Sequence, residues 1–262
     1  EKEEKNVLRV EAVQNFNGSD FSLSMPSLIL KHKQIEYFEP DIIHSHHPFL
    51  LGISAIRIAA LLNIPVVFTH HTLYERYTHY VPLESKALKK MAKNLAVEYC
   101  NLCEGVIAPS YSIKTLLKKR GVTSEIDVIP TGIQPPAVVK DANNEAKKRF
   151  EIDENCFLIG HVSRLALEKN QYFLVESVAD FLQNHKNACF AIAGDGAIKD
   201  ELKQIFAAYG VYERVYFLGS RDKEDLEVLY RRMDLFVFSS TSETQGMVLA
   251  EAMMGATPVV AL

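Results

Sequence analysis

The chain has 262 residues and a formal net charge of −4, with 48% hydrophobic and 24% charged residues. This composition is typical of a folded, soluble protein, and it excludes a disordered chain, a collagen-like fibre and a small disulfide scaffold. The lack of a basic excess argues against a nucleic-acid partner. The four cysteines are few and scattered, and the charged N-terminus is followed by no apolar segment, so we expect a cytoplasmic protein with reduced thiols.

Short apolar runs alternate with amphipathic segments from residue 41 onward. The runs are apolar nearly throughout, which is typical of parallel strands covered on both faces. Strands are predicted at residues 41–44, 65–68, 105–108, 126–129, 157–160, 188–192, 215–218, 235–238 and 258–261. Helices are predicted at residues 83–103, 112–120, 172–184, 198–209 and 223–232. The alternation predicts an α/β fold with parallel sheets.

A proline-rich stretch at residues 130–136 interrupts this alternation with three prolines and one glycine. It is typical of a linker, and it predicts two domains, 1–133 and 134–262, each a doubly wound parallel sheet. We expect ligands beyond the carboxyl ends of the strands, in a cleft between facing domains. The first 40 residues show only a weak pattern and the last run has no helix after it. We therefore expect a chain truncated at both ends, without its opening strand and closing helix.

Two cationic side chains follow the strand predicted at 157–160. Arg164 and Lys169 precede the next helix, so they lie at the carboxyl end of a parallel strand. A guanidinium and an ammonium there can neutralise a departing diphosphate without a metal, although ordinary surface charges are an equally good interpretation. Gly194 and Gly196 follow the next strand, where a backbone could approach a ligand or simply turn tightly.

Two glutamates flank the start of a helix predicted near Gly246. The first backbone N–H groups of that helix would point towards the strand ends, where they can bind a diphosphate. Glu243 lies in the preceding loop and Glu251 two helical turns beyond it, so both can face one ligand and accept hydrogen bonds from sugar hydroxyls. The simpler interpretation is an acidic cap and a surface glutamate.

Six of the nine histidines lie within 36 residues, at the carboxyl ends of two successive predicted strands. One interpretation is a metal site, but no carboxylate closely follows the His-x-His unit and Pro48 redirects the chain, so we expect no metal. The alternative is that one histidine orients or polarises a substrate hydroxyl near neutral pH. At least half of the six are expected to be structural. They are His44, His46, His47, His70, His71 and His79.

Residues 57–120 carry ten basic and four acidic side chains, against the acidic trend of the whole chain. A basic segment of this kind indicates an anionic partner or a solvated helix face. Cys100 and Cys103 within it have redox spacing, but no second pair accompanies them, so we expect them to pack a helix.

Together, the run from Arg164 to Lys169, the turn at 193–196 and the Glu243–Glu251 pair ahead of residues 255–261 resemble retaining glycosyltransferases of family 4. That family carries two glutamates with seven residues between them. The resemblance covers most of the chain from about residue 38, and it implies a GT-B fold of two facing Rossmann-like domains. The segments 69–82 and 241–246 resemble the bacterial branch that glucosylates diacylglycerol, which is related to the phosphatidylinositol mannosyltransferases.

The resemblance implies a role for each matched position. Transfer would retain configuration, with the acceptor attacking on the face that the diphosphate leaves, and with electrostatic stabilisation as the largest contribution. Arg164 and Lys169 would bind the diphosphate, and the amides of Gly246 and Met247 would bind its phosphates. Glu243 would bind the sugar hydroxyls and Glu251 the ribose. Val248 and Gly194 would complete the donor site, and His71 would lie near the reacting centre. Gln245 departs from the aromatic residue that many relatives have there.

On the acceptor side, the resemblance implies a basic amphipathic helix that lies on anionic lipid at the inner face of a membrane. The lysines of segment 83–103 match it: Lys86, Lys89, Lys90 and Lys93. By analogy we expect UDP-glucose as the donor substrate, a diacylglycerol acceptor, no cofactor and no metal requirement. Two alternatives remain open: a glycosyltransferase acting on a soluble sugar or glycan, and a metal-dependent hydrolase built on the cluster from His44 to His79.

Overall fold

The computed structural model describes residues 7–14, 23–24, 35, 37–78, 85–134 and 141–262. The chain divides into two compact units, Glu1–Pro130 and Thr131–Leu262. This division falls after Pro130, whereas the domain boundary that the sequence predicts lies after Ile133. Both positions are in the same irregular segment between the last strand of the first unit and the first helix of the second.

The first unit contains a parallel four-stranded sheet in the order β3-β4-β5-β6 and a short antiparallel pair, β1 with β2. A 3₁₀ turn at Tyr74–Arg76 follows β4. The elements are β1 (Ala12–Val13), β2 (Leu23–Ser24), β3 (Ile43–Ser45), α1 (Leu51–Leu62), β4 (Val66–Thr69), α2 (Lys86–Asn101), β5 (Gly105–Ala108), α3 (Tyr111–Lys119) and β6 (Glu125–Val128).

Side-chain caps and one buried tyrosine hold the helices of this unit in place. Ser85 accepts a hydrogen bond from the Leu88 amide at the start of α2, and Ser110 does the same at the start of α3. Tyr99 on α2 is buried and donates to Ser45 Oγ at 2.8 Å and to the Gly52 carbonyl oxygen at 3.1 Å. These alternative acceptors tie α2 to the ends of β3 and α1.

The second unit contains a parallel five-stranded sheet in the order β11-β10-β7-β8-β9. The chain builds β7, β8 and β9 in one direction and then returns to place β10 on the other side of β7. The point between β7 and β10 is therefore a topological switch point. The elements are α4 (Ala142–Phe150), β7 (Phe157–Val162), α5 (Gln171–Asn184), β8 (Ala188–Ala193), α6 (Lys199–Ala208), β9 (Val215–Gly219), α7 (Lys223–Arg232), β10 (Leu235–Phe238), α8 (Met247–Met254) and β11 (Val259–Ala261).

All six residues of β8 are buried, because helices cover both faces of the sheet beside it. Gly160 on β7 has no room for a side chain, since a Cβ there would lie 2.1 Å from the Met233 side chain. Close packing of this kind makes the sheet a rigid base for the loops that leave its carboxyl edge.

The predicted strand and helix alternation is confirmed by both sheets, and the differences are local. The predicted helix 83–103 corresponds to α2, Lys86–Asn101, because the chain turns at Leu102 and because residues 79–84 lie outside the described part of the chain. The helices α1 and α4 and the antiparallel pair β1–β2 were not predicted. Within the described ranges, no helix is both long enough and apolar enough to cross a bilayer.

Candidate nucleotide-sugar site

Two loops leave neighbouring strands at the switch point of the second unit. The parallel pairing places Leu235 beside Ile159 and Phe236 beside Gly160, so the loops after β7 and β10 start from the same edge of the sheet. The first of these carries Arg164 and Lys169, and the second carries Glu243. The two segments are far apart in sequence, and the order of the strands brings them together.

Lys169 and Glu243 form a direct ion pair between these loops. Lys169 Nζ lies 2.6 Å from Glu243 Oε1, and the two side chains are 16% and 28% exposed. Ser240 Oγ donates to the same carboxylate oxygen at 2.8 Å. The pair is sheltered but accessible, so a ligand carrying both negative charge and hydroxyl groups can bind to both partners.

Serine hydroxyls fasten the two loops together beneath this pair. Ser239 Oγ lies 3.1 Å from the Lys169 carbonyl oxygen and 3.0 Å from that of Asn170. Ser242 Oγ donates to the Glu168 carbonyl oxygen at 3.0 Å, and Asn170 Nδ2 donates back to the Ser239 carbonyl oxygen at 3.3 Å. These serine contacts were not predicted, although four consecutive hydroxyl side chains directly after an apolar strand are a signal for a polar junction.

Arg164 is held by an acidic neighbour that the sequence analysis did not consider. Its Nη2 donates to Glu168 Oε1 at 2.8 Å, and the Glu168 side chain is only 2% exposed while that of Arg164 is 36% exposed. The guanidinium is therefore bound by a buried carboxylate, while the Arg164 side chain as a whole stays partly accessible. Such a group is preorganised for an anion at the surface of the site.

Gly194 has a packing function in this loop cluster. Its φ is +140°, and a Cβ there would lie 1.9 Å from the Ser163 carbonyl oxygen. Its amide donates to the Gly219 carbonyl oxygen at 2.8 Å. The glycine thus lets the backbone before Arg164 approach the end of β8, and its place in the donor site stays a prediction.

The start of α8 offers backbone N–H groups to an anion. Gly246 precedes the helix with φ +68°, a left-handed conformation that favours glycine. Because glycine, at the N-cap position, has no side chain, no side chain caps α8. The first turn of the helix also contains no acidic residue. The amides of Met247 and Val248 therefore lie at the positive end of the helix dipole, where a phosphate is stabilised.

A pocket of about 390 Å³ lies beside α8 and contains Glu251. Tyr230 OH donates to Glu251 Oε2 at 2.9 Å, and burial raises the pKa of that tyrosine, which therefore stays protonated as the donor. Lys223 Nζ donates to Gln134 Oε1 at 2.7 Å on the same pocket. The size is typical of a small-ligand site. The lining residues are Gly132, Ile133, Gln134, Lys223, Leu226, Glu227, Tyr230, Met247, Glu251 and Met254.

In the first unit, two of the clustered histidines form a pair. His46 Nδ1 lies 2.8 Å from His71 Nε2, and His44 Nε2 lies 2.7 Å from Thr69 Oγ1. Burial lowers the pKa of His71, and the neighbouring His46 and His44 lower it further, so this imidazole is neutral at pH 7. The pairing of His46 with His71 was not predicted, because it joins two strand ends.

Of the other three histidines in the cluster, His70 is buried, His47 is half-buried and His79 lies outside the described residues. Burial lowers the pKa of His70 to about 4, and burial also lowers the pKa of His47. Within the described ranges, no group of three or more histidine, cysteine, aspartate or glutamate side chains could hold a metal ion. Cys100 and Cys103 are buried in the core, as expected.

Helix α2 presents lysines and apolar side chains to the solvent together. Lys86, Lys89 and Lys90 are exposed and Lys93 is half-buried. Met91, Leu95 and Leu102 are also exposed, and their spacing of four and seven residues places them on one face of this segment. The segment therefore combines a basic and an apolar surface.

Comparison with known proteins gives matches over both units. The model for "Glycosyltransferase Family 4" matches residues 1–135, and the model for "Glycosyl transferases group 1" matches residues 142–262. An alpha-monoglucosyldiacylglycerol synthase of Streptococcus pneumoniae is 30% identical over 99% of this chain and 60% of its own length. A sulfoquinovosyl transferase of Arabidopsis thaliana is 31% identical over 87% of this chain and 44% of its own. The chain thus spans less than two thirds of the length of these relatives.

Among solved structures, the chain is similar to Anabaena Alr3699/HepE in complex with UDP and glucose. The TM-score is 0.73 and the identity 25%, over 88% of this chain and 62% of the other. The predicted α/β fold of the GT-B type, with two parallel-sheet domains, is confirmed by this likeness together with the two sheets.

Proposed function

We propose that this chain, which belongs to glycosyltransferase family 4, transfers a glucosyl group from UDP-glucose to a lipid acceptor of the diacylglycerol class. The observation that carries the proposal is the Lys169–Glu243 pair, which lies in the same unit as the uncapped start of α8 and the pocket around Glu251. Cations, helix amides and carboxylates together match a diphosphate joined to two sugars. The names of relatives that are alpha-monoglucosyldiacylglycerol synthases support glucose as the transferred sugar and a lipid as the acceptor.

In the proposed donor complex, the amides of Gly246, Met247 and Val248 bind the diphosphate, which also draws Lys169 and Arg164. Glu243 then accepts hydrogen bonds from the hydroxyls of the transferred sugar. The ribose lies against Glu251, whose partner Tyr230 holds the carboxylate in place. The pocket beside α8 takes the base.

The chemistry we propose is retaining transfer without a metal requirement. The acceptor oxygen bonds to C1 of the sugar as the bond from C1 to the diphosphate oxygen breaks, on the same face, and the hydroxyl proton passes to the departing diphosphate. Arg164 and Lys169 stabilise the charge that develops on that leaving group, which is the largest electrostatic contribution. To neutral His71, whose ring is held by His46, we assign the task of polarising the attacking hydroxyl.

A direct transfer assay tests this proposal. The protein is incubated with labelled UDP-glucose and either diacylglycerol in vesicles or a panel of soluble polyols and sugars. We expect labelled lipid as the main product. Label on a soluble acceptor alone would contradict the lipid part of the proposal, and hydrolysis or no turnover with every acceptor would contradict glycosyl transfer.

We further propose that the protein acts peripherally on an anionic membrane surface through α2. The exposed lysines attract acidic headgroups, and Met91, Leu95 and Leu102 can insert between them. Each lysine near such a surface contributes about 1 kcal/mol at moderate salt.

Replacing Lys86, Lys89 and Lys90 together by glutamine is expected to weaken binding to anionic vesicles by roughly 100-fold, because three surface attractions are lost. Co-sedimentation with vesicles containing phosphatidylglycerol measures the change. The matched control replaces Lys114, Lys118 and Lys119 of α3 by glutamine, which removes the same charge from another helix of the unit. An equal loss in both triple variants would show a general charge effect and contradict a role for α2.

A further inference from the structure

A buried hydrogen-bond chain lies beneath the loop that carries Arg164. His161, at the end of β7, is fully buried, and so is Gln171 at the start of α5. His161 Nδ1 lies 2.8 Å from the Val237 carbonyl oxygen, and its Nε2 lies 2.9 Å from Ser163 Oγ and 3.0 Å from Gln171 Nε2. Gln171 Nε2 also lies 2.7 Å from Ser163 Oγ, which is 2.9 Å from the Arg164 carbonyl oxygen.

The groups themselves fix which nitrogen of His161 carries the proton and make Gln171 a donor in this network. A carbonyl oxygen only accepts, so His161 Nδ1 carries a proton and donates to Val237. Burial lowers the pKa of His161 to about 4, so the ring is neutral and Nε2 is an acceptor. The side-chain amide of Gln171 then donates to His161 Nε2 and to Ser163 Oγ. The single Ser163 hydroxyl proton has two acceptors within reach, the Arg164 carbonyl oxygen and His161 Nε2.

This hydrogen-bond network connects two strands with the peptide group of Arg164, a proposed ligand-binding residue. It begins on β10, the strand that leads to Glu243, passes through the end of β7, and ends on the backbone of Arg164. Its middle members, His161 and Gln171, have no exposed surface and so cannot contact a bound ligand. Their effect on a ligand has to be transmitted through the position of the loop.

We propose that His161, Gln171 and Ser163 are positioning residues that fix the Arg164 loop relative to the Glu243 loop in the geometry that binds a diphosphate. This inference rests on the proposed function, because it takes the diphosphate as the ligand of those loops. In the proposed complex the nucleoside part of the ligand lies against Glu251 and Tyr230, which are not members of this hydrogen-bond network. The network therefore affects the diphosphate contribution to binding and leaves the nucleoside contribution unchanged.

The test compares the affinities for UDP and for uridine, measured by calorimetry on the same protein. Gln171→Leu keeps the size of the side chain but removes both donated hydrogen bonds. We expect the ratio of the two affinities to fall about tenfold or more in this variant, since hydrogen bonds of this kind contribute on that scale. A purely structural residue would lower the melting temperature and leave the ratio in the folded protein unchanged, and that result would overturn the inference.

Three further variants keep the test decisive. Ser163→Ala removes the last bond of the chain at a half-buried position, and it is expected to lower the ratio even if Gln171→Leu does not fold, whereas Ser163→Thr keeps the hydroxyl and is expected to restore it. Val178→Ala, in the core on the same helix, is the matched control for lost stability. If the wild-type protein binds UDP no more tightly than uridine, the proposed function fails. If it binds UDP more tightly and folded Gln171→Leu keeps the ratio, or Ser163→Ala keeps it where Gln171→Leu does not fold, only the positioning inference fails.

Discussion

Lys169→Ala is expected to lower kcat by about 100-fold to 1,000-fold, the effect of removing one preorganised charge partner from a transition state. Two losses combine in this variant. The developing charge on the leaving diphosphate loses a cation, and Glu243, whose Oε1 lies 2.6 Å from Lys169 Nζ, remains as an unneutralised carboxylate beside it. Glucosyl transfer under saturating donor measures the change, and Lys169→Arg is expected to recover part of the rate because it keeps the charge.

The matched control is Lys147→Ala, which breaks the exposed Lys147–Glu154 pair in the same unit. Exposed ion pairs contribute little to stability, so this variant should keep both its fold and its rate. A Lys169→Ala enzyme with kcat within about threefold of the wild-type value would contradict the assignment of Lys169 to leaving-group stabilisation.

Arg164→Ala is expected to lose both activity and stability, because the guanidinium of Arg164 has two proposed partners. In the proposed complex it binds the diphosphate, and its Nη2 binds the buried Glu168. Without that cation, the nearly inaccessible Glu168 carboxylate loses a charged partner, at a cost of about 2 kcal/mol in the free energy of unfolding. Thermal denaturation and transfer kinetics on the same preparation measure the two losses.

The double variant Arg164→Ala with Glu168→Gln separates these contributions. Making Glu168 neutral removes the buried charge, so most of the stability should return while kcat stays at least tenfold below the wild-type value. Recovery of both properties in the double variant would show that Arg164 serves only to neutralise Glu168, and would contradict its contact with the diphosphate.

The fold was largely predictable because both of the larger sheets are parallel and their central strands are mostly buried. Strands such as Phe157–Val162 and Ala188–Ala193 are apolar at nearly every position, and the prolines between the units are a clear break. Helix α1 was missed because a continuous apolar run has no amphipathic period to distinguish helix from strand. The two-residue strands β1 and β2 are too short to produce a pattern at all.

From residue spacing alone the candidate site was predictable at the level of single loops, and it was the family resemblance that placed these loops on one donor. The rule that ligands lie at the carboxyl ends of parallel strands indicated Lys169 and Glu243 separately. Their contact depends on β10 lying next to β7, and strand order is set by the packing of the whole sheet. The bond from His161 to Val237 and the pair of His46 with His71 depend on strand order in the same way.

The helical spacing rule does not predict the pairing of Arg164 with Glu168, because Arg164 lies in the irregular loop before the 3₁₀ turn Leu167–Lys169. Nor could the spacing reveal that Glu168 is buried while Arg164 is half-exposed. Glu168 is also joined to the loop after β10, since Ser242 Oγ donates to its carbonyl oxygen, and that contact depends on the strand order.

The most direct test is a crystal structure of the protein soaked with UDP. We predict the diphosphate within hydrogen-bond distance of Lys169, Arg164 and the amides that open α8, with a ribose hydroxyl on Glu251. Clear UDP density elsewhere, with the Lys169–Glu243 pair untouched and the start of α8 bare, would contradict the assignment of this site to a nucleotide sugar.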